Sequence, residues 1–168
     1  MLRYVEYFDV PVTLEIENGV VQRTYLNMRC GRKDPELERL LLAFSMGERN
    51  ALKFYMDNLE EKFKRIYETA INISFGRVSS YGDISLACFG TKTYSRFVGI
   101  TMRMNPLPII IPCHRVIRSD GLPGGFSGSP DLKVYLLNKE GVEIREGHVG
   151  KAFFTHLETK GDHFKEVS

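Results

Sequence analysis

The sequence predicts an α+β fold: a small N-terminal β-sheet with a helix, then a mostly helical domain carrying a helix-turn-helix and a short strand. Three observations predict it. Residues Val10–Glu17 and Val20–Asn27 alternate well enough to be strands, around Asn18-Gly19, the strongest short hairpin signal. Beyond residue 58, apolar residues recur at helical spacing. Within that helical part, Ile109-Ile110-Ile111, bounded by Pro108 and Pro112, reads as a short buried strand.

The whole chain sets the bounds. At 168 residues it supports one domain or two small ones with a real core. Its 43% hydrophobic and 26% charged residues are ordinary for a globular protein. No apolar run approaches the roughly 20 residues of a membrane span, and Met1–Glu6 opens no secretory signal. The expected location is the cytoplasm, or the nucleus in a eukaryotic cell. Cys30, Cys88 and Cys113 are odd in number and far apart, which argues against a disulfide framework. The histidines form no ligand cluster, so neither metal nor cofactor is expected. A net charge of +2 permits nucleic-acid binding without demanding it.

Taken in order, Asp34 caps a helix with Pro35 in its first turn, followed by Leu37, Leu40, Leu41 and Phe44 at helical spacing. Nothing in residues 1–50 resembles a catalytic cluster, and Cys30 is structural. A boundary near 46–58 divides the chain into a scaffold (1–55), a second domain (56–146) and a tail (147–168). Leu59 to Ile73 is amphipathic, with Gly76 as its stop. Ser80 or Asp83 caps a short helix through Ala87 or Cys88, Gly90 makes a turn, and Cys88 falls in the core. Thr91 or Thr93 caps the next, from about Tyr94 to Met104. Two short helices joined by a glycine turn make a helix-turn-helix candidate. Arg96 and Arg103, seven residues apart, share a face that is either solvated or turned to phosphate. Asn105-Pro106 ends that helix, and the Asn105 side chain can lock the following turn. Ser119–Pro130, rich in Gly, Ser and Pro, forms a loop around Phe126. Asp131 caps a last helix, Leu132 to Lys139, which places Lys133, Leu136, Leu137 and Glu140 on one side before Gly141. Residues 145–168 are polar and read as a loosely packed tail.

Cys113-His114 follows the three isoleucines directly. Cys113 is either a small buried residue beside a satisfied core histidine, or a nucleophile whose thiolate a neighbouring base supplies. The residues alone leave both open.

The order of motifs decides. Tyr81-Gly82-Asp83-Ile84, Ser95-Arg96-Phe97-Val98-Gly99, Asn105-Pro106, Pro112-Cys113-His114-Arg115-Val116-Ile117, Gly125-Phe126-Ser127 and Leu136-Leu137-x-x-Glu140-Gly141 resemble, in sequence and succession, the O6-alkylguanine-DNA alkyltransferases. The resemblance covers about residues 59 to 144, and Pro-Cys-His-Arg-Val is highly specific. It implies a DNA repair protein that moves an alkyl group from O6 of guanine, or from O4 of thymine, onto its own cysteine once. Cys113 is then the acceptor, His114 the base acting through a water, Glu140 the carboxylate orienting the imidazole, and Tyr81 the support for the departing base at N3. The implied partner is double-stranded DNA bound from the minor groove with its base flipped, by a monomer without membrane contact. The resemblance assigns Arg96 to the gap left by that base, and Thr93, Ser95, Gly99 and Arg103 to DNA contact. Met102, Val116, Phe126 and Ser127 line the lesion pocket, Ser127 bonding O6, and Asn105 is a hinge. Ser95 stands where proline or alanine is usual, Phe97 where alanine is, and Phe126 where tyrosine is common.

Two other readings remain. A lesion binder without transfer would lack the cysteine that stands here. A redox-responsive helix-turn-helix regulator would need base-edge readout, which the apolar 94–104 segment does not suit.

Overall fold

Alternating side chains build the N-terminal sheet. In the computed structural model, which describes residues 1–126 and 128–158, β1 (Leu2–Tyr7), β2 (Val10–Glu17) and β3 (Val20–Leu26) run antiparallel. β4 (Arg32–Lys33) joins β1 in parallel, so the order is β3-β2-β1-β4. Val5, Tyr7, Val12, Leu14 and Val21 are buried in one core with Leu37, Leu41 and Phe44 of α1 (Pro35–Ser45). The Asp34 carboxylate accepts from the Leu37 amide, which satisfies one orphan donor of that helix.

The helical half follows. α2 (Glu61–Ile71) ends at Asn72, ahead of the expected stop at Gly76. β5 (Ser79–Ser80) leads into α3 (Tyr81–Phe89), where the Ser80 hydroxyl accepts from the Asp83 amide. Gly90 closes α3 with φ +71°, a left-handed conformation that side chains disfavour. A 3-10 turn, Lys92–Tyr94, capped by Thr91, then enters α4 (Ser95–Arg103). The helix expected from Tyr94 thus opens as a tighter turn. Its entry is fixed by Ser85, whose hydroxyl donates to Thr91 O and accepts from the Tyr94 amide. Phe97 lies edge-on to Phe63, with ring centroids 5.4 Å apart.

Two expectations fail here. Ile109–Ile111 is not a strand but a turn, closed by Ile111 N–H to Leu107 O at 2.8 Å. Pro106, Pro108 and Pro112 lack the amides that a ladder needs, and Ile109 takes φ +75°. The strand lies just beyond the thiol: β6 (Val116–Ile117) pairs in parallel with β5. Further on, α5 (Pro130–Lys139) is capped by Ser129, which accepts from the Leu132 amide, rather than by Asp131. Pro130 takes the first helical position, and Asp131 sits in the first turn, where its charge suits the helix dipole.

The polar end is also more ordered than its composition implied. β7 (Ile144–Arg145) and β8 (His148–Val149) form a hairpin, followed by a 3-10 turn over Lys151–Phe153. Val149 with Phe153 and Phe154 joins Val78, Ile117, Leu137 and Val142 in a second apolar cluster, and Val78 exchanges backbone hydrogen bonds with Phe153 and Thr155. A few apolar residues suffice to seat a polar segment, so residues 144–154 are not a loose tail. No described helix is long and apolar enough to cross a membrane.

Candidate active site

Cys113 begins a 3-10 turn, Cys113–Arg115, placed by the turn before it. Asn105 spans that turn: its Oδ1 accepts from the Leu107 amide and its Nδ2 donates to Ile111 O, both at 2.9 Å. From the sheet, the Thr24 hydroxyl donates to Pro108 O at 2.8 Å and its amide to Pro106 O at 3.1 Å. A β-branched residue at positive φ costs on the order of 1–3 kcal/mol and persists only where its surroundings over-determine it. These bonds do so for Ile109.

His114, next to the thiol, is wholly buried, and its Nε2 lies 2.6 Å from Glu140 Oε1. Arg115 bonds the same carboxylate through Nε to Oε2 at 2.8 Å and Nη2 to Oε1 at 3.0 Å. It also donates to Ile73 O and Ser45 O, so every part of its buried fork is used. Burial alone would raise the Glu140 pKa, but His114 and the Arg115 guanidinium outweigh it and hold the carboxyl at about 2. Burial pushes His114 down, against the pull of Glu140. The consistent state is an ionised Glu140 receiving Nε2–H of a neutral imidazole. The other ring nitrogen, Nδ1, is buried and bonds no protein atom, so its lone pair remains to take a proton.

The thiol is buried too, and burial pushes its pKa up, partly offset by the Asn105 side chain and the Lys133 charge. Cys113 is therefore a resting thiol that ionises only as its proton is taken.

Cys113 forms part of the wall of a cavity of about 580 Å³ with Tyr81, Ser95, Arg96, Gly99, Met102, Arg103 and Phe126. Sequence placed all of these in one site, and the fold brings them together. Thr93 stands off the cavity in the 3-10 turn, bonded to Thr91. Val116 is fully buried and lies off the cavity wall. Ser127 lies outside the described residues. Arg118, paired with Asp120 at 2.7 Å, and Gly124 also line the cavity. Gly124 has φ +75°, and a side chain there would meet the Tyr81 hydroxyl and the Arg118 stem.

Local patterns missed three side chains. Arg115 sits in the motif, but only burial reveals its hold on Glu140. Lys133, read as one more residue on a helix face, is fully buried, with Nζ donating to Val116 O and, more loosely, to Gly125 O and the Tyr81 hydroxyl. Burial brings its pKa down to about 8, against the attraction of Cys113. Tyr7, in the half that showed no catalytic cluster, donates to Glu140 Oε1 at 3.2 Å.

Residues 61–142 match the model of the 6-O-methylguanine DNA methyltransferase DNA binding domain. The chain is 38% identical over 90 residues to a methylated-DNA–protein-cysteine methyltransferase of Methanocaldococcus jannaschii, a match covering 54% of this chain and 52% of that protein. It thus spans only about half the length of that relative. The protein of the same name from Methanosarcina acetivorans is 34% identical over 141 residues, 83% of this chain and 85% of the relative. Among solved structures, Mycobacterium tuberculosis OGT in complex with DNA superposes with a TM-score of 0.68 at 26% identity, covering 83% of this chain and 91% of that one. With a relative matched over 85% of its length at 34% identity, the chain belongs to the methylated-DNA–protein-cysteine methyltransferase family.

Proposed function

We propose that this protein repairs DNA by moving the alkyl group of O6-alkylguanine, or of O4-alkylthymine, onto Cys113 in a single turnover. One observation carries the reading: a buried thiol on a cavity wall whose neighbouring imidazole is held by an ionised carboxylate, with one ring nitrogen left to accept a proton. His114 Nδ1 takes the thiol proton through a water, and Sγ attacks the alkyl carbon in line. The carbon–oxygen bond breaks, and its electron pair passes to the purine. Tyr81 supports the departing base at N3, donating a hydrogen bond or proton, with Lys133 behind its hydroxyl. The thioether is stable, so the protein is consumed.

The lesion reaches the cavity only if the nucleotide leaves the stack, at a cost of a few kcal/mol. Arg96, exposed at the start of α4, fills the gap from the minor-groove side. Ser95, Gly99, Arg103 and Thr93 lie against the backbone. Met102 and Phe126 hold the base, Phe126 by stacking alone, and the family resemblance assigns the hydrogen bond to O6 to Ser127. The protein acts as a monomer, in the cytoplasm or a eukaryotic nucleus.

Incubation with duplex DNA carrying O6-methylguanine, followed by intact mass and peptide mapping, tests this. One methyl on Cys113, absent from Cys113→Ala, is the expected result. Tight binding with no adduct would identify a lesion binder.

A further inference from the structure

The N-terminal sheet reaches into the proton relay through one side chain. Tyr7, at the end of β1, is 2% exposed. Its hydroxyl donates to Glu140 Oε1 at 3.2 Å, across 133 residues of sequence. That oxygen is the one bound by His114 Nε2 at 2.6 Å and by Arg115 Nη2 at 3.0 Å. The other oxygen takes Arg115 Nε at 2.8 Å and the Gly76 amide at 3.4 Å. The Ser45 carbonyl accepts from Arg115 as well. The carboxylate is therefore gripped from both halves of the chain.

We propose that Tyr7 is a positioning residue for alkyl transfer: its hydroxyl fixes the Glu140 carboxylate and moderates how strongly Oε1 pulls on the His114 imidazole. The proposal rests on the reading of Cys113 as the alkyl acceptor and gives the N-terminal sheet a part in it. A carboxylate oxygen shares its negative charge among its donors. With the phenol in place, less of that charge faces His114 Nε2–H. Without it, Oε1 stabilises an imidazolium more strongly, and His114 holds a proton to higher pH. The same loss frees the carboxylate to rotate, which loosens the ring. The charged and titratable groups facing the pair are Arg115 beside both residues, Cys113 next to His114, Lys133 across from the imidazole, and Tyr7 itself. Only Tyr7 comes from the N-terminal sheet.

Tyr7→Phe keeps the ring and removes the donor. The test measures two rates against pH for the wild type and this variant: methyl transfer from O6-methylguanine duplex, and carboxamidomethylation of Cys113 by iodoacetamide, followed on the peptide carrying it. Val5→Ala, another buried position on β1 outside the relay, controls for loss of stability. Both variants lower the melting temperature. Only Tyr7→Phe moves the acid limb of both profiles upward, by about half a pH unit or more, the scale of one hydrogen bond, and slows the plateau several-fold. Superimposable profiles, or a downward shift, overturn the proposal. If the wild type transfers no methyl while the iodoacetamide profile still shifts, the substrate reading fails and Tyr7 keeps its role at the thiol.

Discussion

The Thr24 hydroxyl donates to the Pro108 carbonyl at 2.8 Å, tying the edge of the N-terminal sheet to the turn that leads into Cys113. The Thr24 amide holds Pro106 O as well. Proline carbonyls have no strand partner here, so this edge supplies what a ladder would. Thr24→Val keeps the shape and leaves the buried Pro108 carbonyl unmet, at a cost of about 1–3 kcal/mol. Urea denaturation should show that loss, and methyl transfer should slow because Ile109 and Cys113 lose a fixed frame. Unchanged stability and rate would show the turn to be self-supporting.

Acid should unfold this protein through the relay. The folded Glu140 pKa, about 2 against an ordinary 4.5, lies below its unfolded value. Its contribution is therefore present above about pH 4.5 and lost as pH falls towards 2. His114, buried neutral, acts with the same sign at higher pH: unfolded chains bind a proton there that the folded form refuses. Stability measured by urea titration should thus fall from near neutrality downwards. Glu140→Gln should flatten the lower part of that curve and cost about 3–5 kcal/mol near pH 7, since it strands the buried Arg115 charge.

Lys133 is a buried cation whose charge lowers the Cys113 pKa. Lys133→Met should slow carboxamidomethylation of Cys113 at neutral pH and raise the thiol pKa. Because its own pKa is about 8, the wild type should lose this assistance as pH rises through 8, and the variant should lack that inflection. A variant with the wild-type pH profile would confine Lys133 to packing.

Arg96 is exposed on the cavity rim and makes no ion pair within the described residues. Arg96→Ala should reduce transfer from duplex DNA by about tenfold or more, as expected if it offsets part of the few kcal/mol of base extrusion. Reaction with free O6-benzylguanine should change little, because nothing then needs extruding. Equal losses on both substrates would place Arg96 in the pocket chemistry instead.

Much of this was legible along the chain. Asn18-Gly19 dictated the hairpin and Asp34-Pro35 the start of α1, each through a neighbour a few residues away, whereas the choice of Ser80 over Asp83 as the cap of α3 came from the fold. The succession from Tyr81 to Glu140 identified the family and named Cys113, His114 and Glu140 as candidates. Local pattern misled where non-local terms win. Three isoleucines read as a strand, yet the prolines around them withhold the amides a strand needs, and bonds from Thr24 and Asn105 stabilise a turn. Val149, Phe153 and Phe154 lie scattered in a polar segment, and only the cluster they fill makes it ordered.

The motif order along the chain names the candidate reacting groups, Cys113, His114 and Glu140, because residue type alone carries a thiol, an imidazole and a carboxylate. Tertiary structure decided what tunes them. Tyr7, Arg115 and Lys133 act through burial and through partners from distant segments, and Ser45 and Ile73 hold Arg115 only by their carbonyls. A backbone carbonyl has no signature in residue type, and the strength of a charge depends on the water excluded around it, which exists only once the chain has folded.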